Sequence, residues 1–153
     1  MLVICPTSLI GITLAHLREA GHRRCECVVL WLGHKDKSSI MIEEIYHPQQ
    51  IAKEDMFHIP HSGMNALYDH LRKNRYMVAA QVHSHPLHAF HSEADNRWAI
   101  IRHEGALSLV VPNFAMNITA HNFLDHTKTY IFSAKAQWVE ISANMVKSCL
   151  RIS

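Results

Sequence analysis

The chain has 153 residues and a formal net charge of +2, a length that reads as a single domain over 1–153 whose core needs no disulfide support. Hydrophobic residues make up 48% and charged residues 18%, which excludes a disordered segment. The small charge, with no Lys/Arg-rich run, argues against nucleic acid as a partner.

The opening "MLVICPTSLIGITLAHLREAG" begins with a short apolar run, Met1 to Cys5, expected to be an edge strand ended by Pro6. From Thr7, Ile10, Leu14 and Leu17 recur at helical spacing, and Gly21 after Ala20 is the expected stop. This opening carries no basic leader and is interrupted by Pro6, Gly11 and His16, so it reads as neither a signal peptide nor a membrane span. Cys5, Cys25, Cys27 and Cys149 show no disulfide-framework spacing. Reduced thiols and a cytoplasmic location are therefore the expectation, with no membrane partner.

"CECVVLWLG", Cys25 to Gly33, is rich in β-branched and aromatic residues and reads as a buried strand closed by Gly33. After the polar turn "HKDKSS", "IMIEEIYH" (Ile40 to His47) is its antiparallel partner in a hairpin. "PQQIAKEDMFHIPHSG" reads as a loop of functional length. Met64, Leu67, Tyr68 and Leu71 then mark a helix capped by Ser62. "YMVAAQVHSH" is a strand cut by Pro86. Ser92 is expected to cap a third helix running to about His103, with Trp98 and Ile101 on its inner face. "ALSLVVP", "TKTYIF" and "AQWVEI" are further strands, and "SANMVKSCL" is a closing helix. This order implies a mixed sheet flanked by helices, an α/β (α+β mixed) class.

Chemistry concentrates in "AAQVHSHPLHAFHSEADNRWA". Side chains alternate faces along a strand, so His83 and His85 leave one face with roots about 6.6 Å apart. Two imidazoles so placed can meet on one ion, with Zn–N distances of about 2.0–2.1 Å. Asp95, in the first turn of the following helix, can supply a third ligand, and three protein ligands with an open fourth position is the pattern of a catalytic zinc site. Ser92-Glu93-Ala94-Asp95 equally reads as an ordinary capping box. Glu26 stands out as a carboxylate within an apolar strand, costly to bury unless paired, protonated or used near a metal; pairing with Arg23 or Arg24 is the simpler alternative. His88 and His91 flank the loop and are weak candidates for contact with substrate. Cys25 and Cys27 do not suffice for a structural zinc, and no His-Glu-x-x-His helix is present.

Taken together, Glu26, His83-Ser84-His85-Pro86 and Ser92-x-x-Asp95 resemble the JAMM (JAB/MPN) zinc metallopeptidases. The strand from Glu26 to Gly33, the helix "MNALYDHLRKN" and "LSLVVPNFA" follow that family's order, and the resemblance spans Leu9 to Phe132. One departure is the stretch between His85 and Ser92, where "PLHAFH" supplies six residues in place of the family's usual seven. The deletion falls in a loop, where it is most easily absorbed.

The resemblance implies a cytidine-deaminase-like mixed sheet and one Zn²⁺ per chain held by His83, His85 and Asp95. It implies Glu26 as general base, Ser92 as donor to the developing oxyanion, and hydrolysis of the amide after the tail of a ubiquitin-like protein. The chain looks most like compact bacterial members of ubiquitin-like conjugation and antiphage operons, with activating and conjugating enzymes as further partners. A catalytically silent binding scaffold of the same fold is the alternative, and a different zinc hydrolase or a metal sensor is another.

Overall fold

A computed structural model of the chain describes residues 1–97 and 99–153. Among them the elements are β1 (Leu2–Cys5), α1 (Thr7–His22), β2 (Val28–Lys35), β3 (Ser39–Tyr46), β4 (Ile51–Ala52), β5 (Phe57–His58), α2 (His61–Asn74), β6 (Met77–Ser84) and α3 (Glu93–Arg97). β7 (Leu107–Val111), a turn at Asn113–Ala115, α4 (Phe123–His126), β8 (Lys128–Phe132), β9 (Trp138–Glu140), α5 (Ala143–Cys149) and β10 (Leu150–Ile152) complete it.

Eight strands form one mixed sheet in the order β10-β1-β3-β2-β6-β7-β8-β9. β2 is antiparallel to both β3 and β6, while β6 and β7 run parallel. The central strands are buried along almost their whole length, so they read as continuous apolar runs, as expected when both faces are covered. On one face α1 sets Ile10, Leu14 and Leu17 against Val29, Trp31, Val82 and Leu109. The indole of fully buried Trp31 donates to Thr13 Oγ1 at 3.0 Å, which satisfies the one polar atom of the largest core side chain. On the other face Leu67 of α2 joins Val28, Leu30, Phe57 and Val78. The α/β class with helices flanking a mixed sheet is therefore what the chain adopts.

Several expectations need correction. β1 is not an edge strand: it lies between β10 and β3, parallel to both. The closing helix is α5, but the chain then continues as β10, and three residues are too few to show a period. Gly21 does not stop α1; it lies inside the helix, where an added Cβ would overlap Phe114. Gly33 does not close β2, which runs on to Lys35. It sits at a bulge where the Met41 carbonyl approaches too closely for any Cβ, a recognised use of strand glycine. The loop 48–63 contains the small hairpin β4–β5.

Ser62 is not the cap of α2. Pro60 occupies that position, and Ser62 Oγ instead donates to Gln49 Oε1 at 3.2 Å. The third helix is described only over Glu93–Arg97, and Ile101 is buried without being helical. The expected inward placement of Trp98 falls outside the described residues. The turn at Asn113–Ala115 and α4 were not expected.

Candidate metal centre

The site forms where β6 leaves the sheet. Gln81, His83 and His85 alternate onto the α2 face, and Ser84 takes the opposite one. Antiparallel pairing of β2 with β6 sets Val28 opposite His83, and Ser84 N–H donates to Cys27 O at 3.0 Å. Two residues outward from Val28, the same register brings Glu26 to His85. Pro86 ends the run, the chain turns through 86–91, and α3 comes back with Asp95 in its first turn.

The four groups are almost completely withdrawn from solvent: His83 0%, Glu26 2%, Asp95 3% and His85 4% exposed. His83 Nε2 lies 3.2 Å from Asp95 Oδ1, and His85 Nε2 lies 3.1 Å from Asp95 Oδ2. Atoms sharing one tetrahedral ion at about 2.0–2.1 Å stand about 3.3 Å apart, so these spacings already approximate edges of such a polyhedron. One ligand atom from each of His83, His85 and Asp95 falls within 4.8 Å of the others. Among the described residues neither ring nitrogen of His83 nor Glu26 Oε2 has a hydrogen-bond partner. Buried polar atoms are rarely left so; a cation among them removes the deficit, and the donor set fits one.

Glu26 Oε1 is 3.8 Å from His85 Nε2. Burial, and then the charges of Asp95 and Asp55, push its carboxyl up to about 9. Burial acts on Asp95 in the same direction, yet the facing His83 imidazole and hydrogen bonds with His85 and the Ser92 amide hold it well below the usual carboxylate range. Two carboxyls in one pocket thus shift in opposite directions, Glu26 up and Asp95 down, an arrangement typical of acid–base sites.

Ser92 and Asp95 form a reciprocal capping box: Ser92 N–H donates to Asp95 Oδ2 at 2.8 Å, and Asp95 N–H donates to Ser92 Oγ at 3.1 Å. The box and the metal site are therefore one device. Glu26 does not pair with Arg23 or Arg24, which meet Glu19 and Glu54 instead. His88 is exposed on the loop.

His91 is turned inward, its ring 6.1 Å from that of His83. Its Nδ1 donates to Asn96 Oδ1 at 2.7 Å, and its Nε2 accepts from Ser108 Oγ at 3.2 Å. Ser108 Oγ in turn accepts from Gln81 Nε2 at 3.1 Å. Burial, then the neighbouring His83, lowers the His91 pKa, in keeping with a neutral ring that accepts on one side. This chain of bonds ties α3 to β6 and β7.

Gln81, Ser108 and Asn96 were missed at the level of sequence. Gln81 had a usable signal: it is a polar residue two positions before His83, on the same face of an apolar strand. Ser108 and Asn96 carried none. Phe57, whose ring lies 5.4 Å from His83, was hidden in a segment read as loop. The Asn113–Ala115 turn, three residues in the left-handed region, accepts no pattern-based forecast either, yet Phe114 N–H fixes the His85 carbonyl at 2.8 Å. Non-glycine residues held at positive φ cost energy and cluster at functional sites.

Residues 6–122 match the family model described as prokaryotic homologs of the JAB domain. The chain is 33% identical over 155 aligned positions to "Probable metalloprotease y4jG" of Sinorhizobium fredii (strain NBRC 101917 / NGR234), covering 99% of this chain and 94% of that one. The solution structure of protein DSY2949 from Desulfitobacterium hafniense superimposes with a TM-score of 0.70 at 17% identity, over 99% of this chain and 93% of that chain; at that identity it speaks for the fold alone. The buried His83–His85–Asp95 group, the mixed sheet that presents it and these matches agree, and the chain belongs to the prokaryotic JAB-domain family as a metalloprotease.

Proposed function

We propose that this metalloprotease is a zinc-dependent, deubiquitinase-like isopeptidase or peptidase. Its substrate is the amide that follows the C-terminal tail of a ubiquitin-like protein, in a precursor or in a conjugate. The observation that carries the proposal is the buried Glu26 carboxyl, 3.8 Å from His85 and with no hydrogen bond to its Oε2 among the described residues, beside a His-His-Asp group. A structural metal site has no use for such an acid, whereas an amide hydrolase needs a base at that place.

His83, His85 and Asp95 would hold the ion, and their two nitrogens and one oxygen suit zinc with one position left for chemistry. When bound, the ion supplies Lewis acidity and lowers the pKa of water in the site. Glu26 takes the proton of the attacking water and passes it to the departing amine; the positive charge of a bound ion would favour the ionised carboxylate that this role requires. Ser92 Oγ accepts only from the Asp95 amide among the described bonds, which leaves its own proton to donate to the carbonyl oxygen as negative charge develops there. Asn96 and His91 keep α3 and its carboxylate aligned throughout.

Around the site, Leu87 is 67% and Phe90 52% exposed, and the Phe90 ring meets His85 edge-on at 4.7 Å. This apolar rim supports the docking of a folded partner whose extended tail enters the site. The family resemblance supports a bacterial ubiquitin-like pathway, with its activating and conjugating enzymes as further partners. Among the described residues no helix is long and apolar enough to cross a membrane.

The test is a cleavage assay on ubiquitin-like fusions carrying a C-terminal amide extension, with and without chelator. Chelator-sensitive release of the extension supports the proposal. Binding without cleavage favours a silent scaffold, and zinc binding with neither favours a metal sensor.

A further inference from the structure

Glu26 Oε1 lies 3.8 Å from His85 Nε2, yet among the described residues nothing hydrogen-bonds its Oε2. Left to itself, such a side chain would turn toward water. Whatever holds it must act through the backbone, and the backbone here lies just outside regular structure. On the β3 side, pairing with β2 stops at Leu30 opposite Tyr46. On that side Val28 and Glu26 have no β3 residue opposite them.

Side chains and a loop carbonyl take the missing strand's place. Val28 N–H donates to Gln50 Oε1 at 2.9 Å, while Gln50 Nε2 donates to Val28 O at 2.9 Å and to Pro48 O at 3.0 Å. The primary amide of Gln50 thus reproduces both bonds of a strand partner. Glu26 N–H donates to Lys53 O at 2.6 Å. On the β6 side, Cys27 N–H donates to the hydroxyl of Ser84 at 3.1 Å, and Ser84 N–H returns a bond to Cys27 O. Ser84 is fully buried and lies between the two histidine ligands.

We propose that Gln50 and Ser84 are positioning residues that clamp the backbone of Glu26–Val28 from its two sides and so hold the Glu26 carboxylate at the reacting centre. The proposal rests on the reading of Glu26 as general base. Ser84 links the base rigidly to the strand that carries His83 and His85, and Gln50 links it to the loop leading to β4. Neither touches substrate or metal.

The experiment uses the zinc-loaded protein and its Gln50→Ala, Ser84→Ala and Ser84→Thr variants, alone and combined with Glu26→Gln. Metal content, Tm, kcat and KM are read on a ubiquitin-like fusion with a C-terminal amide extension. Gln50→Ala changes a half-buried loop side chain and serves as the variant that keeps its fold. The expected result is a fall in kcat of about 10- to 100-fold in Gln50→Ala and Ser84→Ala, with KM and metal content unchanged. Ser84→Thr, which keeps the hydroxyl, recovers most of the rate. In the Glu26→Gln background the same changes have no further effect, because residues acting as a unit are not additive.

Unchanged kcat in both variants, or an equal fall with and without Glu26, overturns the proposal. If the unaltered protein cleaves no such fusion, it is the functional reading that fails. The clamp is then decided by the visible absorption of the cobalt(II)-loaded protein. Gln50→Ala and Ser84→Ala should shift that spectrum as Glu26→Gln does and add nothing to it, and an unshifted spectrum overturns the clamp.

Discussion

The Ser92 amide donates to Asp95 Oδ2 at 2.8 Å while the Asp95 amide donates to Ser92 Oγ at 3.1 Å, so one local motif both starts α3 and aims a metal ligand. Ser92→Ala removes the hydroxyl and leaves the Ser92 N–H in place. Loss of the cap should cost about 1 kcal/mol of stability. If the hydroxyl also serves the oxyanion, kcat should fall by about 100- to 1000-fold. Thermal unfolding and steady-state kinetics on metal-loaded protein check both, and metal content should stay at the level of the unaltered chain.

Metal binding should depend on all three ligands at once. His85→Ala or Asp95→Ala should reduce bound zinc to background, as measured by elemental analysis of chelator-washed and reloaded protein. In the unaltered chain, zinc at about 100 times its Kd should add about 2.7 kcal/mol to stability, seen as a rise in Tm that chelator reverses. The two variants should show no such rise.

Glu26→Gln should separate catalysis from binding. Turnover should drop by about 100- to 10,000-fold with metal content retained. A carboxyl raised from 4.5 to about 9 keeps its proton in the folded state after the unfolded chain has shed it. The metal-free protein should therefore lose stability as pH rises between those two values. Metal-free Glu26→Gln should lack that slope, which denaturant unfolding at several pH values will show.

A second pH effect should arise far from the metal. His34 Nδ1 lies 2.8 Å from Glu43 Oε1, and its Nε2 lies 3.1 Å from the Asn74 carbonyl at the end of α2. Both partners are acceptors, so both nitrogens must donate, and the ring satisfies both only as the cation. The hydrogen bond with Glu43, then that with Asn74, raises its pKa above the ordinary 6.5. The resulting stabilisation is fully present below 6.5 and lost as pH climbs through the raised value. An NMR titration should place His34 above 6.5, and His34→Gln should remove its share of the pH dependence.

Much of this was legible in residue order because it follows from local rules. The apolar run Val28 to Leu32 and the alternation through Gln81, His83 and His85 each announce a strand and its faces, since the pleat alone sets which side chains share a side. The spacing from Ser92 to Asp95 announces a capped helix start for a similarly local reason. What residue order misjudged depended on distant partners. The position of β1 inside the sheet required β10, and Gly21 and Gly33 are explained by Phe114 and Met41 rather than by their neighbours. The length of α3 and the hairpin β4–β5 were likewise beyond a period too short to read.

By itself, the sequence determined the chemical inventory: two imidazoles on one face of a strand, a carboxylate in a capping box, and an unexplained acid near the start of another strand. Those are consequences of backbone periodicity and need no knowledge of the rest of the chain. Only the tertiary structure decided that they meet. The β2–β6 register carries Glu26 to His85 across nearly sixty residues of chain, and the Gln50 and Ser84 bonds keep it there. Pairing between distant strands is selected by the packing of the whole sheet, and no local spacing encodes it.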